Sequence, residues 1–345
     1  MPWWKRALGK TRRAPDDVDA ALRGALLNVL DRELEEAERL IEAACQMDSS
    51  GVDPYLALAR LYRMRGEIGR AIRVHQNLLL RKDLDPRQTV AALADLAADF
   101  RRGGFLQRSI AAYEEVLAHD AGHLAALSAL VWLLADARDY PRAIEMARRL
   151  AKLDRAAADR VPDEASLLVD SAEAAHAQGR NDEARRAAKR ALRKSPRSVR
   201  GWVVLGEVEA ARGKSRAALS AWQRVPKLDR AAGATVYPRL ESLYGSLGRL
   251  ADFETWLRKH LAEHPDDDPA RIALANTLAA RGEREAAEDE LQHLLEKQPD
   301  DLVVRAALGR LLVSEGRDAE AAKSYGELLD LLDRKGLLRH RESLR

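Results

Sequence analysis

The chain has 345 residues, 46% hydrophobic and 33% charged, a balance that excludes a disordered chain and supplies enough apolar surface for a packed core. Ala fills 62 positions while aromatic residues reach only 5%, which favours close helix-on-helix packing over a sheet. The single cysteine, Cys45, excludes an internal disulfide framework and any zinc site built on several cysteines, and the net charge of +3 is modest.

Residues 1–16 read as a basic N-terminal tail. Residues 1–13 hold five basic side chains (Lys5, Arg6, Lys10, Arg12 and Arg13) and no acid. The head has no apolar h-region, so no secretory signal is expected. No membrane span is expected either, because the longest run free of Asp, Glu, Lys and Arg is 121–135, short of the roughly 20 residues a span needs. Trp3, Trp4, Lys5 and Arg6 suit an anionic membrane surface, where each cation gains about 1 kcal/mol. The expected location is cytoplasmic, with a weak peripheral contact at the inner face of the membrane through this head.

One pattern then recurs along residues 17–335: a small turn residue, Ala or its equivalent five positions on, and a larger residue four further. Gly66 precedes Ala71 and His75; Gly104 precedes Ser109 and Tyr113; Gly213 precedes Ala218 and Trp222; Gly316 precedes Ala321 and Tyr325. The turn falls at positions 32, 66, 104, 138, 179, 213, 248, 282 and 316, with Arg32 and Arg138 standing where the other copies have Gly. The dominant spacing is 34, and residues 84–88 and 155–163 are expected to be inserted inter-repeat loops. In the first half of each copy a bulky residue precedes Leu-small and an aromatic, as in Tyr55, Leu58, Ala59 and Tyr62.

This period and these residues resemble the tetratricopeptide repeat. The expected fold is all-α, a solenoid of about nine repeats forming a right-handed superhelix of antiparallel helix pairs, followed by a short tail over 336–345. No single repeat can bury its apolar faces, so stacking must supply the core.

Residues 53–116 resemble a narrower family. The run from Arg63 through Gly66-Glu67-Ile68-Gly69-Arg70-Ala71 to His75-Gln76 is similar to that of lipopolysaccharide-assembly proteins of the LapB type. The resemblance implies proteins attached to the inner membrane and facing the cytoplasm. They tie a membrane protease to turnover of the deacetylase that commits precursors to lipid A. It also implies an N-terminal transmembrane helix and a terminal rubredoxin-like metal module with two Cys-x-x-Cys pairs. Neither is expected here, since the head is only basic and Cys45 stands alone.

In such arrays the first helices line a concave groove. The groove positions hold Arg60, Arg63, Arg101 and Arg102, then Trp132, then Glu173, His176 and Glu207. Four clustered cations with no evident packing role predict a partner that supplies carboxylates or phosphate. A protein or peptide ligand is therefore the expected partner. The helix 181–194 carries a basic stripe including Arg185, Arg186, Lys189 and Arg190. Without interleaved aromatic residues or a nucleic-acid motif it reads as solvated surface, and nucleic acid is not the expected partner. His119 with His123, and His260 with His264, lie four apart at helix ends and are expected to bind no metal. Cys45 is expected in the core. No phosphate loop, nucleophile elbow or metal motif occurs, so no enzyme activity and no cofactor are expected. The expected function is a protein-binding scaffold or adaptor, in lipopolysaccharide and cell-envelope assembly as the resemblance implies. A general repeat scaffold for a secretion or motility assembly is the alternative, and a nucleic-acid-associated protein using the basic stripe is the third reading.

Overall fold

A computed structural model describes residues 17–335, and every regular element among them is a helix. The chain divides into two compact units, one ending at Leu167 and the other beginning at Leu168.

The first unit holds four helix pairs: α1 (Val18–Leu30) with α2 (Leu34–Met47), α3 (Asp53–Met64) with α4 (Ile68–Leu79), α5 (Pro86–Arg102) with α6 (Leu106–His119), and α7 (Leu124–Asp136) with α8 (Tyr140–Leu153). A single-turn helix, α9 (Arg155–Ala158), follows. The division falls inside α10 (Glu164–Ala177), which pairs with α11 (Asn181–Lys194). The second unit continues with α12 (Val199–Ala211), α13 (Ser215–Trp222) and the short α14 (Val225–Leu228). Then come α15 (Arg230–Ser246) with α16 (Leu250–Glu263), α17 (Asp268–Ala280) with α18 (Arg284–Lys297), and α19 (Leu302–Ser314) with α20 (Asp318–Arg334).

All nine expected turn positions have a left-handed backbone, the seven glycines at φ between 66° and 85°, Arg32 at 62° and Arg138 at 58°. The same hydrogen bond closes each turn. The residue after the turn position donates its N–H five residues back, as from Glu67 to Tyr62 (2.8 Å), Asp139 to Leu134 (2.8 Å) and Glu283 to Leu278 (2.9 Å). That bond satisfies a helix-end carbonyl and points the chain back for the second helix. A Cβ built on Gly66 or Gly282 meets nothing within 4 Å, so the sign of φ alone is what favours glycine there.

Side-chain caps set the starts of several helices, most of them first helices of a pair. Asp17, His123, Ser198, Asp267 and Asp301 each accept a backbone N–H of the first turn. Asp85 and Gln88 form a reciprocal capping box with Pro86 in the first turn of α5. That box corrects the reading of 84–88 as loop: the extra residues lengthen α5, and the connection is the stretch before Asp85. In the inserted stretch 155–163 the chain makes the one turn of α9. Pro226 ends α13 early and restarts the helix as α14.

Small residues set how closely paired helices approach. Ala59 and Ala71 are fully buried against one another with Tyr62 in the first unit. In the second unit a Cβ on Gly206 would lie 2.2 Å from the Trp222 indole, so only glycine admits that ring. The core there is continuous from Ala218 to Leu311 and is braced by stacked rings, with Tyr244 on Phe253 (5.2 Å) and Phe253 on Trp256 (5.9 Å).

Candidate functional site

The first helices of successive pairs present the face where binding residues were expected. On α3, Arg60 and Arg63 share that face, three residues apart. They do not stand as bare cations. Arg63 donates to Asp95 Oδ1 (2.9 Å) and to Asp99 Oδ1 (2.8 Å), both on the neighbouring α5. Arg60 donates from Nε to Asp95 Oδ2 (2.8 Å). The second oxygen of Asp99 lies 2.6 Å from His75 Nδ1 on α4, and both of these side chains are fully buried. Burial alone would push the Asp95 carboxyl up, but hydrogen bonds from Arg60 and Arg63 outweigh it and hold it below the ordinary carboxylate range.

This assembly corrects the expectation of four unneutralised cations. Arg60 and Arg63 join two repeats through two carboxylates, and the Arg63 side chain is only 22% exposed. It also explains the diagnostic run: Arg63 and His75, near its two ends, converge on one buried carboxylate of the next repeat.

The acids expected further along are paired in the same way. Glu173 on α10 takes Arg200 on α12 (2.8 Å), which also holds Asp170 (2.8 Å). Glu207 on α12 takes Arg239 on α15 (2.8 Å). Each pair spans about one repeat. The turns add others, with Arg65 to Glu38, Arg212 to Asp182 (3.0 Å) and Arg317 to Glu288 (2.7 Å). His176 hydrogen-bonds Asn181 (2.8 Å). The signal for these pairs is in the sequence, as an Arg on one repeat and an acid at the matching face position one period away.

Arg101, Arg102 and Trp132 behave differently. The two arginines close the last turn of α5, where a cation complements the helix dipole, and both are exposed. Neither has an ion pair or a hydrogen bond among the described residues. Trp132 stands on α7 with 42% of its surface exposed while its helix neighbours Val131 and Leu133 are buried. Trp3, Trp4, Lys5 and Arg6 lie outside the described residues.

The remaining candidates have local roles. His123 caps α7, accepting from Ala126 N–H (3.1 Å). His260 is buried, 2.8 Å from Asp267, which also accepts from Tyr237 (2.8 Å) and caps α17. Cys45 is half-buried beside Ile41 and Leu61, and burial followed by the nearby Glu42 pushes its thiol up to about 11. Of the basic stripe, Arg185 pairs with Glu209 (2.6 Å), and Arg186 and Arg190 are exposed. Among the described residues no three His, Cys, Asp or Glu side chains gather as a metal set, and no helix is long and apolar enough to cross a membrane.

One further feature on the first-helix face of the second unit was not foreseen. A cleft of about 320 Å³ runs across α15, α17 and α19, between Pro238, Glu241, Ile272, Asn276, Val303 and Arg310.

Models of the tetratricopeptide repeat match residues 55–88, 150–199, 169–232 and 256–311. The lipopolysaccharide assembly protein B of Escherichia coli K12 is 26% identical over 299 residues, covering 86% of this chain and 76% of that protein. Its counterpart from Haemophilus influenzae is 26% identical over 269 residues, covering 76% of this chain and 64% of that protein. A solved tetratricopeptide repeat protein from Parabacteroides merdae aligns over 86% of this chain and 98% of its own, with 13% identity and a TM-score of 0.39. The matched repeats coincide with helix pairs and left-handed turns already evident in both units, and on that ground the chain belongs with the tetratricopeptide-repeat proteins.

Proposed function

We propose that the chain is a binding scaffold for another protein in the regulation of lipopolysaccharide assembly, with its contact on the first-helix face of the first unit. The observation that carries this reading is the exposed set Arg101, Arg102 and Trp132: neither arginine has an ion pair or hydrogen bond among the described residues, and Trp132 leaves 42% of its surface open. Arginine grips carboxylate or phosphate in a fork, and an exposed indole offers a flat apolar anchor. Similarity to lipopolysaccharide assembly protein B over most of the chain supports the assembly role. Arg60 and Arg63 take part as the rigid floor of this face, Arg60 with its side chain 54% exposed, and Glu173 and Glu207 do the same on the first helices of the second unit. The head residues Trp3, Trp4, Lys5 and Arg6 add a weak anionic-membrane contact at the inner face.

The test is a pull-down from the source cell with the full chain, comparing wild type with Arg101→Glu/Arg102→Glu and with Trp132→Ala. Helicity should stay close to wild type while melting falls modestly, because two acids at the end of α5 oppose its dipole and Trp132 is more than half buried. Loss of a lipopolysaccharide-assembly protein from both variants is the expected result. Its full retention by both would place the contact elsewhere. Arg60→Glu is not used, because a carboxylate beside Asp95 would break the inter-repeat pairing and report on folding.

A further inference from the structure

We infer that the cleft across α15, α17 and α19 is a second seat, built for a basic, aliphatic segment of another polypeptide. The inference rests on the reading of the first-helix faces as binding surfaces, and it assigns a distinct site and a ligand chemistry to the second unit.

The walls come from three first helices, each contributing at helical spacing. On α15 the cleft takes Ala234, Tyr237, Pro238 and Glu241; on α17, Pro269, Ile272, Ala273 and Asn276; on α19, Val303 and Arg310. Steps of three, four and seven residues put each set on one side of its helix. Pro238, Pro269, Ile272 and Val303 make the lining apolar, and Val303 is 61% exposed, a large aliphatic surface with nothing over it.

The charge at this cleft is unbalanced. Three acids border it, Glu241, Asp268 and Asp301, against one base, Arg310. Asp301 is occupied in capping α19 through Val303 and Val304, and Asp268 accepts from Gln298 (3.1 Å). Glu241 is partly buried and has no hydrogen bond or ion pair among the described residues. Burial pushes its carboxyl up, and Arg310 offsets this only in part. A desolvated carboxylate without a donor is a standing cost, relieved when a cation or N–H arrives. Pro238 lies inside α15, where its ring adds apolar surface to the same wall. Asn276 on α17 has no hydrogen-bond partner among the described residues and can both donate and accept, which matches a peptide bond. The seat thus offers acceptors for a Lys or Arg side chain, an amide for the backbone beside it, and an apolar wall for the next aliphatic residue.

Glu173 and Glu207 have arginines one repeat away, whereas Glu241 has none within ion-pair distance. An acid kept partly buried and unpaired in a chain rich in arginine is explained by a cation that comes from outside.

The experiment uses the full chain and three fluorescent peptides, measured by anisotropy at physiological salt. One alternates leucine and lysine, one alternates leucine and glutamate, and one has the sequence of residues 1–13. The leucine–lysine peptide should bind and the leucine–glutamate peptide should bind at least about tenfold more weakly. Glu241→Gln and, separately, Val303→Lys should each weaken the leucine–lysine peptide at least about tenfold. Glu241→Gln should also raise the melting temperature, which loss of a purely structural contact would not do. Equal affinity of wild type and both variants overturns the seat, as does equal affinity for the two alternating peptides. If only the 1–13 peptide binds, the occupant is this chain's own head, and the assignment to another polypeptide fails. These results are independent of the pull-down on Arg101, Arg102 and Trp132, so failure here leaves the proposed scaffold role intact, and failure there leaves the seat intact.

Discussion

Two acid sites on first-helix faces handle charge in opposite ways, Asp95 with Asp99 in the first unit and Glu241 in the second. In the first, Asp95 and Asp99 are surrounded by Arg60, Arg63 and His75, and every carboxylate oxygen has a partner. In the second, Glu241 sits partly buried with none among the described residues. A saturated network does structural work: it holds neighbouring repeats in register and leaves little for a ligand. An unsaturated acid costs stability and leaves a point of attachment. The same residue types therefore mean different things, and what separates them is whether a complementary charge stands one repeat away.

Breaking the saturated side should give the largest effect. Asp99→Leu leaves Arg63 with one carboxylate and His75 with no acceptor, both packed against α5. Removing one member of a buried charge pair costs about 3–5 kcal/mol, and urea denaturation of the full chain should show a loss of that order. Adding His75→Leu should cost less than the sum of the single changes, because the two side chains share one contact. A single-variant loss below roughly 1 kcal/mol would mean that the network is not the clasp described.

Helix spacing gives the next contrast. Gly206→Ala in the second unit raises helix propensity yet drives a methyl into Trp222, and should destabilise by about 1–3 kcal/mol. Ala59→Gly in the first unit makes the reverse change against Tyr62 and Ala71, and should also destabilise, by about 1 kcal/mol from propensity and more from the void. If Gly206→Ala is neutral in thermal denaturation, the ring does not depend on the missing Cβ.

The acids also titrate with opposite sign. Asp95 has a folded pKa below its unfolded value, so its contribution is complete above about pH 3.9 and is lost as pH falls through the folded pKa. Glu241 has a folded pKa above its unfolded value. Its ionisation penalises the fold as pH rises from about 4.3 through the raised value, and the penalty disappears on acidification. Glu241→Gln should therefore be more stable than wild type at neutral pH, with the difference gone near pH 4. A difference that stays constant between pH 7 and pH 4 would show that Glu241 is not desolvated.

Much of the architecture is legible in the sequence because it rests on local chemistry. A left-handed turn followed by Ala and then a large residue repeats every 34 positions or so, and each of the nine turns has the backbone that spacing predicts. The stretch 84–88 was less legible: Pro and charge suggest a loop, but Asp85 and Gln88 cap a helix that begins at Pro86. The proposed contact face was only partly legible. Arg101, Arg102 and Trp132 are exposed, whereas the roles of Arg60 and Arg63 depend on Asp95 and Asp99, more than thirty residues away. Local reading cannot see such pairs unless the sequence is folded at its own period. The cleft escaped notice for the same reason, since Glu241, Asn276 and Arg310 come from three separate repeats.

The smallest expected effect compares the turns themselves. Five of five turn positions from 179 onward are glycine, whereas the first unit has Arg32 and Arg138 beside Gly66 and Gly104. A residue with a Cβ held left-handed costs about 1–2 kcal/mol in the folded state. Glycine there loses part of that advantage, about 0.4–1 kcal/mol, through the greater freedom of its unfolded chain. Arg138 is exposed and has no hydrogen bond or ion pair through its side chain among the described residues, so nothing else is lost on replacing it. Arg138→Gly should therefore stabilise by roughly 0.5–1 kcal/mol, and Gly282→Arg should destabilise by a similar amount. Thermal melts of the two variants test this as a pair with opposite signs. If both destabilise, Arg138 contributes something beyond its backbone conformation, and the turns of the two units are not interchangeable.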